Sequence, residues 1–404
     1  MPTVRATAML LFGALGWQVG VWAASLPSLA REQGLDPGAL GGRLAALAAA
    51  SVLGVLAAGR IADRRGRRGV AACGTALLAL SYALFLLGPL PLAFSFPAFA
   101  CYGVATGLVD IAANAVGSDL EAATGRKLMV GLHAGFSGGA AVGAACAVLF
   151  GLAGYGHHQL FALTVVLMLA ACGFVLVARF PPHLRTPPVA AAGAGRRVSW
   201  RGPAVLLIIV VGTVCFFGDG VMQSFAPLYL NQTAGAGVVG AAAGVALFHS
   251  ASLCGRVAAT PMLLRGGNEV AVLVVCATAA TLSVGLVAIG SSVWLALIGM
   301  ALAGLMLSPV IPIAYSLLGR TAGNSAGAAL SVLTACSYGA FTAAPAISGV
   351  VAETVGLRAV LVLAIACYGC CAVITFFARR RISARAHPDP SLDPSSNPSL
   401  SRPA

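Results

Sequence analysis

Four ionisable side chains stand inside long apolar runs of this 404-residue chain: Asp110, His133, Asp219 and His249. A charge at the centre of a bilayer costs about 2.5 kcal/mol or more, so such groups are functional candidates by default. An aspartate beside a histidine can exchange protons, since the reference pKa of histidine, about 6.5, lies within the working range of pH. Counting about 1.5 Å per helical residue puts Asp110 and His133 at one depth, and Asp219 and His249 at another near the midplane. Two pairs are therefore expected, Asp110/His133 and Asp219/His249. Each serves as a proton-coupling element or, on the plainer reading, as a polar clamp between helices. Polar companions stand one helical turn away: Asn114 from Asp110, Gln223 from Asp219, and Trp22 from Gln18. Residues four apart share a helix face, so Gln18, Trp22, Asp110, Asn114, Asp219 and Gln223 are expected to line a substrate cavity. Two acids and no Lys or Arg at this depth favour a polar solute, uncharged or cationic.

The elements that carry these groups are helices crossing a membrane. The chain is 59% hydrophobic and only 9% charged, far from the ~25% charge of a soluble domain. Runs of roughly 20 apolar residues span a bilayer. Twelve are expected, at 8–30, 42–60, 69–88, 91–115, 128–152, 158–180, 204–230, 238–258, 269–290, 293–315, 328–351 and 357–378. With the N-terminus inside, 21 of the 24 basic residues fall in cytoplasmic segments, and only Arg31, Arg43 and Arg358 lie elsewhere. This is the positive-inside pattern. It accounts for the net charge of +13 without a nucleic-acid partner, and it places both termini on the cytoplasmic side of a cell (inner) membrane. The eleven cysteines fall in apolar runs, where thiols pack as small hydrophobes. Cys367-x-x-Cys370-Cys371 lies mid-span with no acid or histidine near it, so no metal and no cofactor are expected.

Prolines in 181–203 break the helical pattern and divide the chain. Residues 1–180 form one six-helix unit, 181–203 a cytoplasmic linker, 204–381 a second six-helix unit, and 382–404 a Ser/Pro-rich disordered tail. The halves read as a worn repeat: Gly20 matches Gly220, Gly59-Arg60 matches Gly255-Arg256, and Leu132-His133 matches Leu333-Thr334. Gly131, Gly135, Gly139 and Gly143 give the fifth run overlapping G-x-x-x-G spacings that let helices approach closely.

Between the second and third runs lies Gly59-Arg60-Ile61-Ala62-Asp63-Arg64-Arg65-Gly66-Arg67-Arg68, a knot of charge that must sit at a membrane face. Its Gly-x-x-x-Asp-Arg-x-Gly-Arg-Arg spacing resembles the signature loop of the major facilitator superfamily. The stretches 107–115 and 132–139 look like a bacterial permease branch related to fucose-permease-like transporters. The resemblance implies an all-α membrane protein of two pseudo-symmetric six-helix bundles around a central cavity. It also implies a conformational latch of Gly59, Asp63, Arg64, Gly66 and Arg67, with Arg67 paired to Asp119, or secondarily to Glu121. A plain topology anchor is the alternative reading of that loop. The loop after the eighth run lacks the Asp-Arg core.

These features together lead us to expect a gradient-driven transporter of a small polar solute, coupled to protons as a symporter. A proton-driven drug or metabolite exporter of the same fold is the alternative. The fifth run lacks the proline motif typical of such exporters. No phosphate-binding Gly-x-x-x-x-Gly-Lys-Ser/Thr loop occurs, and no nucleophile or metal constellation points to an enzyme. A monomer suffices for this plan.

Overall fold

The structure is a computed structural model that describes residues 2–124, 128–178, 180, 202–264, 268–289, 292–322 and 326–386. Among these residues every regular element is a helix. Twelve helices are long and apolar enough to cross a membrane. We number them spans 1 to 12: Val4–Glu32, Pro37–Ala58, Gly66–Phe85, Ala93–Leu120, Gly131–Leu152, His157–Val177, Pro203–Gln232, Gly237–Ala259, Glu269–Ile289, Val293–Ala322, Val332–Thr354 and Leu357–Ile382. Helices suit this setting because each satisfies its own backbone hydrogen bonds, which lipid cannot.

Local chemistry sets several ends. Asp36 caps span 2: its Oδ1 accepts from the Ala39 N–H at 2.6 Å, and Pro37 follows at the first helical position. Spans 2 and 3 are broken apart at Gly66, whose φ of 66° and ψ of −178° no helix contains. A left-handed φ suits glycine, which gives the loop glycine a physical reason. Pro309 cannot donate to a helical ladder, and span 10 is accordingly two helices, Val293–Leu307 and Val310–Ala322. The last helix continues to Ala386, past the 378 expected for the twelfth run. Within the linker and tail, residues 181–201 and 387–404 lie outside the described residues.

The internal repeat appears in the packing. A β-carbon on Gly54 would collide with the Val104 carbonyl, and one on Gly103 with the Leu47 carbonyl, so spans 2 and 4 meet backbone to backbone. The same two collisions recur at Gly255 with Leu305 and at Gly304 with Phe248. Each residue is shifted by 201, which relates spans 2 and 4 to spans 8 and 10. This corrects one sequence match: Gly255 is the counterpart of Gly54, not of Gly59. Span 5 uses two of its glycines in the same manner. Gly139 and Gly143 press on Gly13 and Trp17 of span 1, whereas Gly131 and Gly138 face open space.

The two halves meet tightly at their arginine-poor ends. Gly41 of span 2 packs directly on Gly349 of span 11. Ala23, Ala24 and Ala144 of the first half form an apolar seal with Ala242 and Val245 of span 8. Arg31 Nη2 donates to Asn231 Oδ1 at 3.3 Å across the same boundary. Arg43 is buried nearby, with Nε donating to Ser95 Oγ at 2.8 Å and Nη1 to the Ala39 carbonyl at 2.9 Å.

Candidate functional site

Behind the apolar seal, between the halves, lies a cavity of about 70 Å³. Span 7 contributes Asp219 and Gln223, span 8 His249, Ser252 and Arg256, span 5 Phe136 and Ser137, and span 10 Ser308 and Ile311. Gln223, Phe248 and His249 also border a smaller apolar pocket with Ala23, Val245 and Met300, so the space narrows into the seal. Asp219 and His249 stand thirteen and twelve residues from the arginine-poor ends of their spans. At about 1.5 Å per residue, both lie near the middle of a ~30 Å hydrocarbon core.

The second half supplies most of the polar lining. Tyr368 of span 12 donates its hydroxyl to Asp219 Oδ1 at 2.9 Å, fixing the carboxylate's orientation and leaving its second oxygen for the cavity. Ser252 Oγ is tied down to the Phe248 and Gly304 carbonyls at 2.8 and 3.1 Å. Arg256 reaches across the cavity to the other half: Nη1 donates to Ser137 Oγ at 2.8 Å and to the His133 carbonyl at 3.2 Å. Its guanidinium also lies within electrostatic reach of Asp219 and His249. Ser308, beside the break in span 10, adds a hydroxyl at the wall.

The first half presents a second polar point. Asp110 Oδ1 accepts from Asn114 Nδ2 at 2.9 Å, as the one-turn spacing predicts. Its Oδ2 accepts from the Tyr338 hydroxyl of span 11 at 2.8 Å, which makes a further tie between the halves. An interhelical hydrogen bond in a membrane averages about 0.6 kcal/mol. The Asp110 and Arg256 ties are therefore easily broken, and they do not lock the halves together.

Several expectations need correction. Among the described residues, no hydrogen bond joins Asp110 to His133. The aspartate is satisfied by Asn114 and Tyr338, and the His133 ring packs edge-on against Phe12, with 5.0 Å between centroids. Asp219 and His249 share the cavity wall, but among the described residues no hydrogen bond joins them; Asp219 accepts from Tyr368. Gln18 and Trp22 do not face the cavity. Gln18 is fully buried within the first half, where its Oε1 accepts from Tyr102 and its carbonyl from Tyr82 at 2.8 Å. Trp22 stacks on Tyr102 at 4.1 Å, among Phe85 and Phe99. The expectation that no basic residue borders the cavity is overturned by Arg256. Arg256 lies within span 8, three residues before its end at Ala259, and not in a loop; the helix itself runs on to Leu264.

In the charged knot, Arg67 Nη2 donates to Asp119 Oδ1 at 2.8 Å, and Asp119 is only 2% exposed. Arg68 Nη2 donates to the Ala178 carbonyl at 2.6 Å. The side chains of Asp63, Arg64 and Glu121 lie outside the described residues, as does the side-chain environment of Gly59.

Sequence reasoning missed Arg256, Tyr338, Tyr368, Ser137 and Ser308. A signal for Arg256 existed: His249, Ser252 and Arg256 follow an i, i+3, i+7 stripe on one helix face, and all three fall inside the expected run 238–258. One further cluster has metal-ligand chemistry. Glu32, His157 and His158 place their ligand atoms within 4.8 Å of one another at the arginine-poor end, away from the cavity. There His157 Nε2 and His158 Nε2 engage the two Glu32 oxygens at 2.7 and 2.9 Å, tying span 1 to span 6.

Comparison with known proteins agrees with this architecture. The family model described as Major Facilitator Superfamily matches residues 7–338. An uncharacterised transporter, y4wD, of Sinorhizobium fredii is 26% identical over 87% of this chain and 91% of its own length. The membrane protein MosC of Rhizobium meliloti is 25% identical over 94% and 91%. Among solved structures, a variant of the nucleoside transporter NupG superposes with a TM-score of 0.74 at 14% identity, covering 94% of this chain and 99% of NupG. A D-xylose-proton symporter gives a TM-score of 0.67 at 18% identity, covering 94% and 97%. FucP in its outward conformation gives 0.62 at 17%, covering 94% and 99%. The chain belongs to the major facilitator superfamily and is a multi-pass membrane protein.

Proposed function

We propose that this member of the superfamily is a secondary active transporter that carries a small polar solute across the cell membrane by alternating access, coupled to protons as a symporter. The observation that carries the reading is the cavity between the halves. It is near mid-membrane and lined by Asp219, Gln223, His249 and Arg256, and it is sealed by small apolar residues at one end. Ionisable groups at this depth are costly and by default mark a solute or ion pathway, and repeated halves with a site at their interface are a transporter plan. The relatives named as transporters, and the fold shared with a nucleoside transporter and a xylose–proton symporter, support the same reading.

In this scheme the halves rock about the cavity. The Gly41–Gly349 contact and the Ala23/Val245 seal part to open the arginine-poor face, taken as the outside from the charge asymmetry. Asp219 carries the coupled proton, since Tyr368 holds one of its oxygens and the other faces the cavity. Arg67 with Asp119, and the loop from Gly59 to Arg67, act as a latch on the opposite face. The protein works as a monomer with both termini cytoplasmic.

The test is solute-induced proton movement in proteoliposomes, with Asp219→Asn in parallel and a panel of sugars, nucleosides and amino acids. External alkalinisation with one solute class, lost in Asp219→Asn, is the expected result. Silence across the panel, together with acid-gradient-driven extrusion of a lipophilic cation, would overturn symport in favour of export.

A further inference from the structure

Arg256 is the residue that the cavity's chemistry turns on. Arg256 stands three residues from the end of span 8 at Ala259, where a long cationic side chain can turn to the membrane face, yet it borders the cavity instead; a helix packing surface does not need it, because the neighbouring contact of span 8 with span 10 is made by Gly255. Its side chain projects into the space that Asp219 faces. Its Nη1 holds two weak acceptors on the opposite half, the Ser137 hydroxyl and the His133 carbonyl. Guanidinium is the side chain best matched in shape and charge to a carboxylate, which it binds through two parallel hydrogen bonds. A carboxylate arriving in the cavity is a stronger partner for Arg256 than either neutral acceptor. We propose, building on the transporter reading above, that the solute is a small organic carboxylate and that Arg256 binds its carboxyl group.

The electrostatics then couple the proton to the solute. Among the described residues, the cavity wall carries one fixed cation, Arg256, and one acid, Asp219. A carboxylate bound at Arg256 puts a second negative charge beside Asp219, and a proton taken up by Asp219 relieves that repulsion. Tyr368 and Cys215 also adjoin Asp219, with Cys367 nearby. His249 faces the same space. Asp110 is held separately by Asn114 and Tyr338 and is not part of this wall. One proton moving inward with one monoanion transfers no net charge. Symport of a neutral sugar transfers one positive charge per turnover. Binding at Arg256 also withdraws the guanidinium from Ser137 and His133, which removes a tie between the halves as the solute loads.

Matched pairs of solutes test this in proteoliposomes containing the full chain: galacturonate against galactose, and gluconate against glucose. Uptake, external pH and membrane potential are recorded together. The expected result is uptake of the acid of at least one pair in preference to its neutral partner, with alkalinisation and no rheogenic signal. Arg256→Gln should weaken apparent affinity for the acid on the order of 10- to 100-fold, the range of a charge-assisted contact, and Arg256→Lys should recover part of it. Monodisperse elution and unchanged melting of both variants exclude misfolding as the cause. Rheogenic, proton-coupled uptake of a neutral sugar, with an affinity unmoved in Arg256→Gln, would overturn the carboxylate assignment and leave the symporter reading standing. Extrusion of a lipophilic cation with no uptake of any solute would overturn both.

Discussion

A shift of 201 residues lays Ala48, Ser51 and Val55 of span 2 over His249, Ser252 and Arg256 of span 8. The backbone contacts around these positions are the same: Gly54 on Val104 and Gly255 on Leu305, Gly103 on Leu47 and Gly304 on Phe248. The side chains at these three positions are not. One copy presents a methyl, a hydroxyl and an isopropyl group; the other presents an imidazole, a hydroxyl and a guanidinium. The backbone contacts are thus set by small residues where helices touch, whereas the side chains on the neighbouring stripe differ between the halves. The first half keeps its polarity elsewhere. Gln18 is locked among Tyr82 and Tyr102, and Asp110 is held by Asn114 and Tyr338.

The comparison breaks most decisively at Asp219. If the second half carries the coupling chemistry, Asp219→Asn should reduce gradient-driven uptake on the order of 100-fold or more, the scale of a lost proton-transfer group. Solute exchange without a gradient should persist. Wild-type uptake should fall as external pH rises, because the proton is a co-substrate, and Asp219→Asn should be flat over the same range. Asp110→Asn, in the first half, should change uptake far less. Equal losses in both variants would remove the functional asymmetry between the halves.

The next effect concerns the charged faces. Asp119 is nearly fully buried against Arg67, and removing one member of a buried ion pair costs about 3 kcal/mol. Arg67→Ala should lower the melting temperature of the purified protein clearly, and Arg67→Ala with Asp119→Ala should restore part of it. An unchanged melting temperature in Arg67→Ala would mean that the pair serves conformational switching alone.

The scaffold half of the comparison predicts symmetry. Leucine at position 54 or at position 255 must push into a carbonyl of the facing helix. Each of Gly54→Leu and Gly255→Leu should therefore cost about 2 kcal/mol. Matching losses of melting temperature would support a common packing geometry; a loss at one site only would refute it.

How much of this was legible beforehand depended on the range of each interaction. The twelve spans follow from apolar run length, and the Asp36 cap from a local pattern, because both are written in consecutive residues. The direction in which a polar helix face points is not. Gln18 and Trp22 share a face, as four-residue spacing requires, but their partners Tyr82 and Tyr102 lie 64 and 84 residues from Gln18, so inward packing was invisible. Arg256 was misplaced because Gly255-Arg256 resembles the Gly59-Arg60 loop start. The packing that pairs Gly255 with Gly54 exists only between helices. Tyr368 and Tyr338 gave no local signal, since an intramembrane tyrosine looks like core until its acceptor is known.

The smallest predicted effect separates two kinds of aspartate. Both Asp110 and Asp219 accept a tyrosine hydroxyl, at 2.8 and 2.9 Å. Tyr338 comes from the opposite half to Asp110, whereas Tyr368 belongs to the same half as Asp219. Breaking the first bond leaves each half intact and changes only how readily they separate; about 0.6 kcal/mol corresponds to less than a threefold shift in that equilibrium. Tyr338→Phe should therefore alter the apparent KM and maximal rate by no more than that factor and leave the melting temperature unmoved. Tyr368→Phe reorients a carboxylate inside one half, and should instead displace the pH profile of uptake. If Tyr338→Phe displaced the pH profile and Tyr368→Phe did not, the proton would travel by Asp110, and the assignment of chemistry to the second half would be reversed.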